Sequence, residues 1–141
     1  MTVRDADTGE ALAVVRARVA DTPEERYAGL SDAERLPAGT GMLFVFRSEG
    51  RRAFVMRRMA FPLDIVFVGA DGRVTTVRHA PVPPPDADEA DLVRYTGRAK
   101  WVLEVPRGWA DRHGVAAGDR VSVTYANRTV SPGNQPFLAH G

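Results

Sequence analysis

The sequence predicts a mostly β domain, a small barrel-like or sandwich-like fold of about seven strands with two short helices. Three observations point there: short apolar runs recur along the chain, glycine and proline punctuate them, and no segment sustains a long helical period. At 141 residues the chain is one domain by length. A domain of that size buries roughly 70% of its unfolded surface, so a core forms without staples.

Leu12 to Ala20 alternates, with Val15, Ala17 and Val19 on one face and Arg16 and Arg18 on the other, the period of a half-buried strand. Thr22-Pro23-Glu24-Glu25 then reads as a helix start: Thr22 caps, Pro23 presets the first turn and Glu25 closes a capping box. The helix is expected to end near Gly29. Met42 to Phe46 is five apolar residues in a row, read as a strand covered on both faces. Ala53 to Met56 and Ile65 to Val68 read similarly, with Arg51-Arg52 as a hairpin tip between the first two. Gly69-Ala70-Asp71-Gly72 is a hairpin turn into Arg73 to Arg78.

Pro81 to Leu92, PVPPPDADEADL, has almost nothing to bury and predicts an exposed, partly extended loop. Lys100 to Val105 resumes strand character with Trp101, Leu103 and Val105 in phase. Gly108 to His113 gives one or two helical turns stopped by Gly114, and Gly118-Asp119 turns the chain into Val121 to Tyr125. The expected organisation is a flexible N-terminus over 1–10, a single β-rich domain over 11–126 and a poorly ordered tail over 127–141.

Composition excludes whole classes of function. The absence of cysteine removes disulfide frameworks, thiolate metal sites and cysteine nucleophiles together. Nineteen basic residues stand against eighteen acidic ones, so the global field of a nucleic-acid binder is missing. No apolar run approaches membrane-spanning length and no leader stands out at the start, so the expectation is a soluble, cytoplasmic protein.

Asp64 is the most demanding residue, because a carboxylate between Leu63 and Ile65 is expensive to bury without a partner. Arg57, Arg58 and Lys100 are the natural partners, and a forked arginine suits a carboxylate best. The plainest reading is a structural ion pair, or a strand-start residue after Pro62 whose oxygens take backbone donors. A second constellation is basic: Arg47, Arg51, Arg52, Arg57 and Arg58 face only Glu49 in sequence, interleaved with Phe46, Phe54 and Phe61. A third is acidic, Asp86, Asp88, Glu89 and Asp91, which fails as a calcium loop because Asp91 stands where a glycine is needed. The plain reading of these acids is a mobile, solvated loop; the alternative is that the loop lies across the arginine-rich stretch, whose local charge opposes its own. His79, His113 and His140 have no ligand spacing, and no glycine-rich phosphate loop or nucleophile elbow occurs, so neither metal nor cofactor is expected.

Several ordered blocks together resemble the uncharacterised family known as domain of unknown function 192. They are Asp21 to Arg26 with Gly29-Leu30, Met42 to Phe46, Phe54-Val55-Met56, Pro62 to Phe67 with Asp71-Gly72, Val102-Leu103-Glu104 with Gly108, and Gly118 to Val121, so the match covers about residues 14 to 125. The resemblance implies a mostly β, barrel-like domain and brings no established reaction, cofactor or partner. Members often carry Lys-Asn where this chain has Arg57-Arg58, and some carry a cysteine in the proline loop that is acidic here.

The leading expectation is a small non-enzymatic binding module for an anionic small molecule or an acidic peptide segment, its site formed by Met56, Arg57, Arg58, Pro62 and Asp64 beside the acidic loop. A hydrolase using Asp64, perhaps with Glu104, as general base is one alternative. A weak nucleic-acid binder through Arg47 to Arg58 is the other, with nucleic acid the less expected partner.

Overall fold

Nine strands form two sheets in the computed structural model, which describes residues 1–31, 33–125 and 128–130. A four-stranded sheet runs β2 (Ala11–Val14), β1 (Thr2–Arg4), β8 (Arg120–Tyr125), β9 (Arg128–Val130). A five-stranded sheet runs β3 (Arg16–Ala20), β4 (Thr40–Phe54), β7 (Tyr95–Pro106), β5 (Leu63–Val68), β6 (Val74–Ala80). The two do not close into a barrel; the arrangement is the sandwich-like one. Helices α1 (Pro23–Ala28) and α2 (Trp109–His113) complete it, with a short 3-10 turn at Glu89–Asp91.

The strand count exceeds the expected seven for local reasons. The alternating run from Leu12 to Ala20 is not one strand: it breaks at Val15, whose N–H bonds Met1 while that of Arg16 bonds Gly39. The chain thus leaves one sheet and enters the other within a single step, as strands at sandwich corners do. Thr2–Arg4, expected within a flexible N-terminus, lies between β2 and β8, and Val3 is fully buried. Of the expected loose tail, Arg128–Val130 form β9, and the remainder lies outside the described residues. One strand pair, β3 with β4, is parallel, with α1 in the crossover between them.

Arg51 and Arg52 are not a hairpin tip. They sit inside the fifteen-residue β4, opposite Arg98 and Gly97 of β7. The irregularity the sequence hinted at is a bulge between Val45 and Gly50, where the register against β7 shifts. The turn at Gly69–Gly72 forms as expected, its Gly72 N–H reaching the Gly69 carbonyl at 2.9 Å and β5 pairing with β6 behind it.

The five-stranded sheet is covered on both faces. One face packs Leu43, Val45, Val66, Val68, Trp101, Leu103 and Val105 against Val3, Val15, Val121, Val123 and the α2 residues Trp109 and Ala110. The other packs Met42, Phe44, Ile65, Phe67 and Val102 with Leu30, Met56 and Met59 from the connections. Fully burying such aliphatic and aromatic side chains contributes roughly 1.5–3 kcal/mol each before entropy is counted. Gly97 allows the close packing on this second face, because a Cβ there would fall 2.6 Å from Phe67 Cγ.

Candidate functional site

Alternation along β5 sends Leu63, Ile65 and Phe67 to the second face and Asp64, Val66 and Val68 to the face between the sheets. Asp64 is completely buried there. Its partners are neither Arg57, Arg58 nor Lys100. His79, its direct register partner on β6, brings Nδ1 to 2.6 Å from Oδ1, and Ala110 donates its backbone N–H to Oδ2 at 2.9 Å. Arg107 Nε stands 4.0 Å from Oδ1. The carboxylate therefore satisfies a first-turn amide of α2 from another strand, the role a local cap would fill. Lys100 instead lies over the Trp101 ring, 4.7 Å from its centroid.

Glu104 does not join Asp64. The register places Asp64 opposite Val105 and Ile65 opposite Glu104, so the two acids point to opposite faces of one sheet. Glu104 faces the apolar cluster of Met42 and Ile65, and burial pushes its carboxyl up to about 8. This geometry rules out the Asp64–Glu104 pair considered for a hydrolase.

The expected binding residues are dispersed. Met56 is buried in the second cluster, and Pro62 is exposed with its carbonyl taking the Arg107 N–H. Arg57 reaches the acidic loop: its Nε lies 2.8 Å and 3.1 Å from the two oxygens of Glu89, and Nη2 bonds the same carboxylate. That bond raises the Arg57 pKa and lowers that of Glu89. Arg58 holds a left-handed backbone at φ 51°, uncommon for a non-glycine residue. Arg57 and Arg58, with Met59, Pro83 to Pro85 and Leu92, line a crevice of about 390 Å³ beneath the loop.

Arg57 also lines a larger groove of about 520 Å³ between α1 and β4. The capping box forms as the sequence indicates, Glu25 N–H to Thr22 Oγ1 at 3.1 Å and Thr22 N–H to Glu25 Oε1 at 3.1 Å. It orients a helix whose Pro23, Arg26 and Tyr27 share the groove wall, three and four residues apart. Opposite them stand Phe46, Arg51, Arg52 and Phe54. The guanidinium carbons of Arg26 and Arg52 lie 5.1 and 4.0 Å from the centre of the Phe46 ring. Arg26 Nη1 donates to the carbonyls of Asp21 and Val45, and Arg52 Nε to that of Ala99. Ion pairs among the described residues include none of Arg26, Arg51 and Arg52. Burial, then the charge of Arg26, holds the Arg52 pKa below its ordinary value.

Sequence reasoning identified the arginines of β4 and the aromatic interleaving but missed Arg26 and Tyr27. The signal lay in the capping box, which fixes the helix phase and so the side these residues share. Among the described residues no group of His, Asp and Glu is arranged to hold a metal ion, and no helix is long and apolar enough to cross a membrane.

Fold and site together define a two-sheet β domain carrying an arginine-lined groove. The chain belongs to the uncharacterised family DUF192, described as Uncharacterized ACR, which it matches over residues 3–123. It is similar to a crystal structure of a protein of unknown function from Novosphingobium aromaticivorans, 33% identical with a TM-score of 0.72, covering 84% of this chain and 80% of that one. It is also similar to a Sinorhizobium meliloti protein described as a "putative transcription regulator", 27% identical with a TM-score of 0.72, covering 84% of this chain and 88% of that one. No curated protein matches.

Proposed function

We propose that this chain is a small binding module for an organic anion held in the groove between α1 and β4. The observation that supports this is the pair Arg26 and Arg52, two like charges gathered on one Phe46 ring, neither in an ion pair among the described residues. Holding them together costs electrostatic repulsion, and an anion bridging their forks relieves it while gaining charge-assisted hydrogen bonds. Arg51, exposed at the same wall, adds a third fork. The lining, built of arginines and aromatic rings, suits the binding of an anion.

Compared with the arrangement expected from sequence, the site keeps Arg57, gains Arg26, Arg51 and Arg52, and gives up Met56, Arg58, Pro62 and Asp64. Melting curves in pyrophosphate, citrate and chloride at matched ionic strength test it. A multivalent anion at about a hundredfold excess over its Kd adds about 3 kcal/mol, a rise of roughly 10 °C for a domain of this size. The Arg51→Ala, Arg52→Ala double variant should lose that rise. An equal rise in the double variant would place the anion elsewhere.

A further inference from the structure

The groove is not uniformly basic, and its charge distribution selects among anions. Arg57 is neutralised in place: Glu89 grips its Nε and Nη2 together, and its guanidinium carbon lies over Tyr27, 4.5 Å from the ring centre. Tyr27 nevertheless keeps 67% of its surface exposed, the largest exposure of any aromatic residue among the exposed apolar side chains described. This portion of the wall is therefore a flat, pre-ordered platform with little net charge. Around Phe46, by contrast, Arg26, Arg51 and Arg52 carry positive charge and enter no ion pair among the described residues. A compact polyanion such as citrate would use only the second group and leave the platform idle.

We infer that the anion is a nucleoside phosphate, its phosphates held by Arg26, Arg51 and Arg52 and its base stacked on the Tyr27–Arg57 platform. This rests on the anion-binding reading above and names its ligand class. A molecule with an uncharged planar end and a phosphate end matches the two kinds of wall, and every base offers a π face to an aromatic or guanidinium plane. Arginine forks match phosphate oxygens pairwise, where a point charge would not orient them. A groove of about 520 Å³ falls in the size range of sites for ligands of this kind. Because the platform is clamped by Glu89 before any ligand arrives, stacking on it requires little further ordering of side chains.

Calorimetric titration with ADP, pyrophosphate and adenosine separates the contributions. ADP should bind at least about tenfold tighter than pyrophosphate, the margin one stacked base supplies, and adenosine alone should bind too weakly to measure. Tyr27→Ala should remove that margin, lowering ADP affinity about tenfold more than pyrophosphate affinity, and Tyr27→Phe should keep it. Tyr27 is exposed, so neither variant threatens folding. Equal affinity for ADP and pyrophosphate, or a margin that survives Tyr27→Ala, overturns the nucleoside assignment and leaves the anion site standing. Failure of pyrophosphate and ADP alike overturns both. A single-stranded oligodeoxyadenylate that binds about tenfold or more tighter than ADP would reassign the groove from a free nucleotide to a strand; weaker binding supports the free nucleotide.

Discussion

His79 Nδ1 and Asp64 Oδ1 stand 2.6 Å apart on adjacent strands, joining an imidazole at the sheet margin to a carboxylate with no solvent exposure. The same carboxylate takes the Ala110 N–H, so one side chain ties β5 to β6 and to α2. Asp64→Ala should destabilise the fold by about 2–5 kcal/mol, because it strands a buried amide and removes a charge-assisted bond. Asp64→Asn keeps an acceptor for Ala110 and should cost less. Urea unfolding of both variants checks this, and a loss below about 1 kcal/mol for the alanine variant would contradict a structural role.

Glu104 makes stability depend on pH in a defined direction. Its carboxyl is pushed from 4.5 to about 8 in the folded chain, so the folded state holds a proton that the unfolded state releases. The stability it contributes is fully present below pH about 4.5, declines as pH rises and is gone above about 8, at a slope of about 1.4 kcal/mol per pH unit. Glu104→Gln should flatten the profile across that window and raise the melting point at pH about 8 relative to the parent. Melting curves between pH 5 and 9 provide the comparison; parallel profiles would mean that Glu104 titrates normally.

Gly97→Ala should cost about 1–3 kcal/mol, since the added carbon falls 2.6 Å from Phe67 Cγ and 2.8 Å from Thr76 Cγ2. Chemical denaturation checks it. Gly9→Ala, with nothing within 4 Å but a φ of +75°, isolates backbone strain from overpacking.

Thr22→Ala should lower stability by about 1 kcal/mol through the lost cap. Since α1 carries Arg26 and Tyr27 into the groove, it should also weaken anion binding without touching any groove residue. Titration with pyrophosphate reads the second effect, and unchanged affinity would show that the helix is held by its packing instead.

Local chemistry was legible wherever a residue type dictates one geometry. Thr22-Pro23-Glu24-Glu25 specified its capping box, Gly69 to Gly72 its hairpin, and Gly114 the end of α2, where φ is +66°. Nonlocal choices were less legible. The break at Val15 keeps an alternating pattern on both sides, so the sequence carries no mark of the change of sheet. The arginine pair Arg51-Arg52 imitates a turn although its backbone is paired on β4. For Asp64, closeness in sequence favours arginines, whereas hairpin register delivers His79. Counting back from the Gly69 turn would find it only with the one-residue slip between Phe67 and Val68. The pairing of Glu89 with Arg57 was legible only as an alternative to mobile, solvated acids, because opposite charge brings two segments together without saying which acid meets which arginine.

The opposed placement of Asp64 and Glu104 also guards the pairing of β5 with β7. A slip of β5 by one residue would carry Asp64 from its histidine and amide into the methionine-lined cluster and bring Ile65 out of it. An equal slip of β7 would drive Glu104 onto the face of Leu43, Val66 and Trp109 and carry Trp101 off it. Each acid is tolerated on its own side only, so together they act as a two-sided key that makes every neighbouring alignment of these strands a misfit.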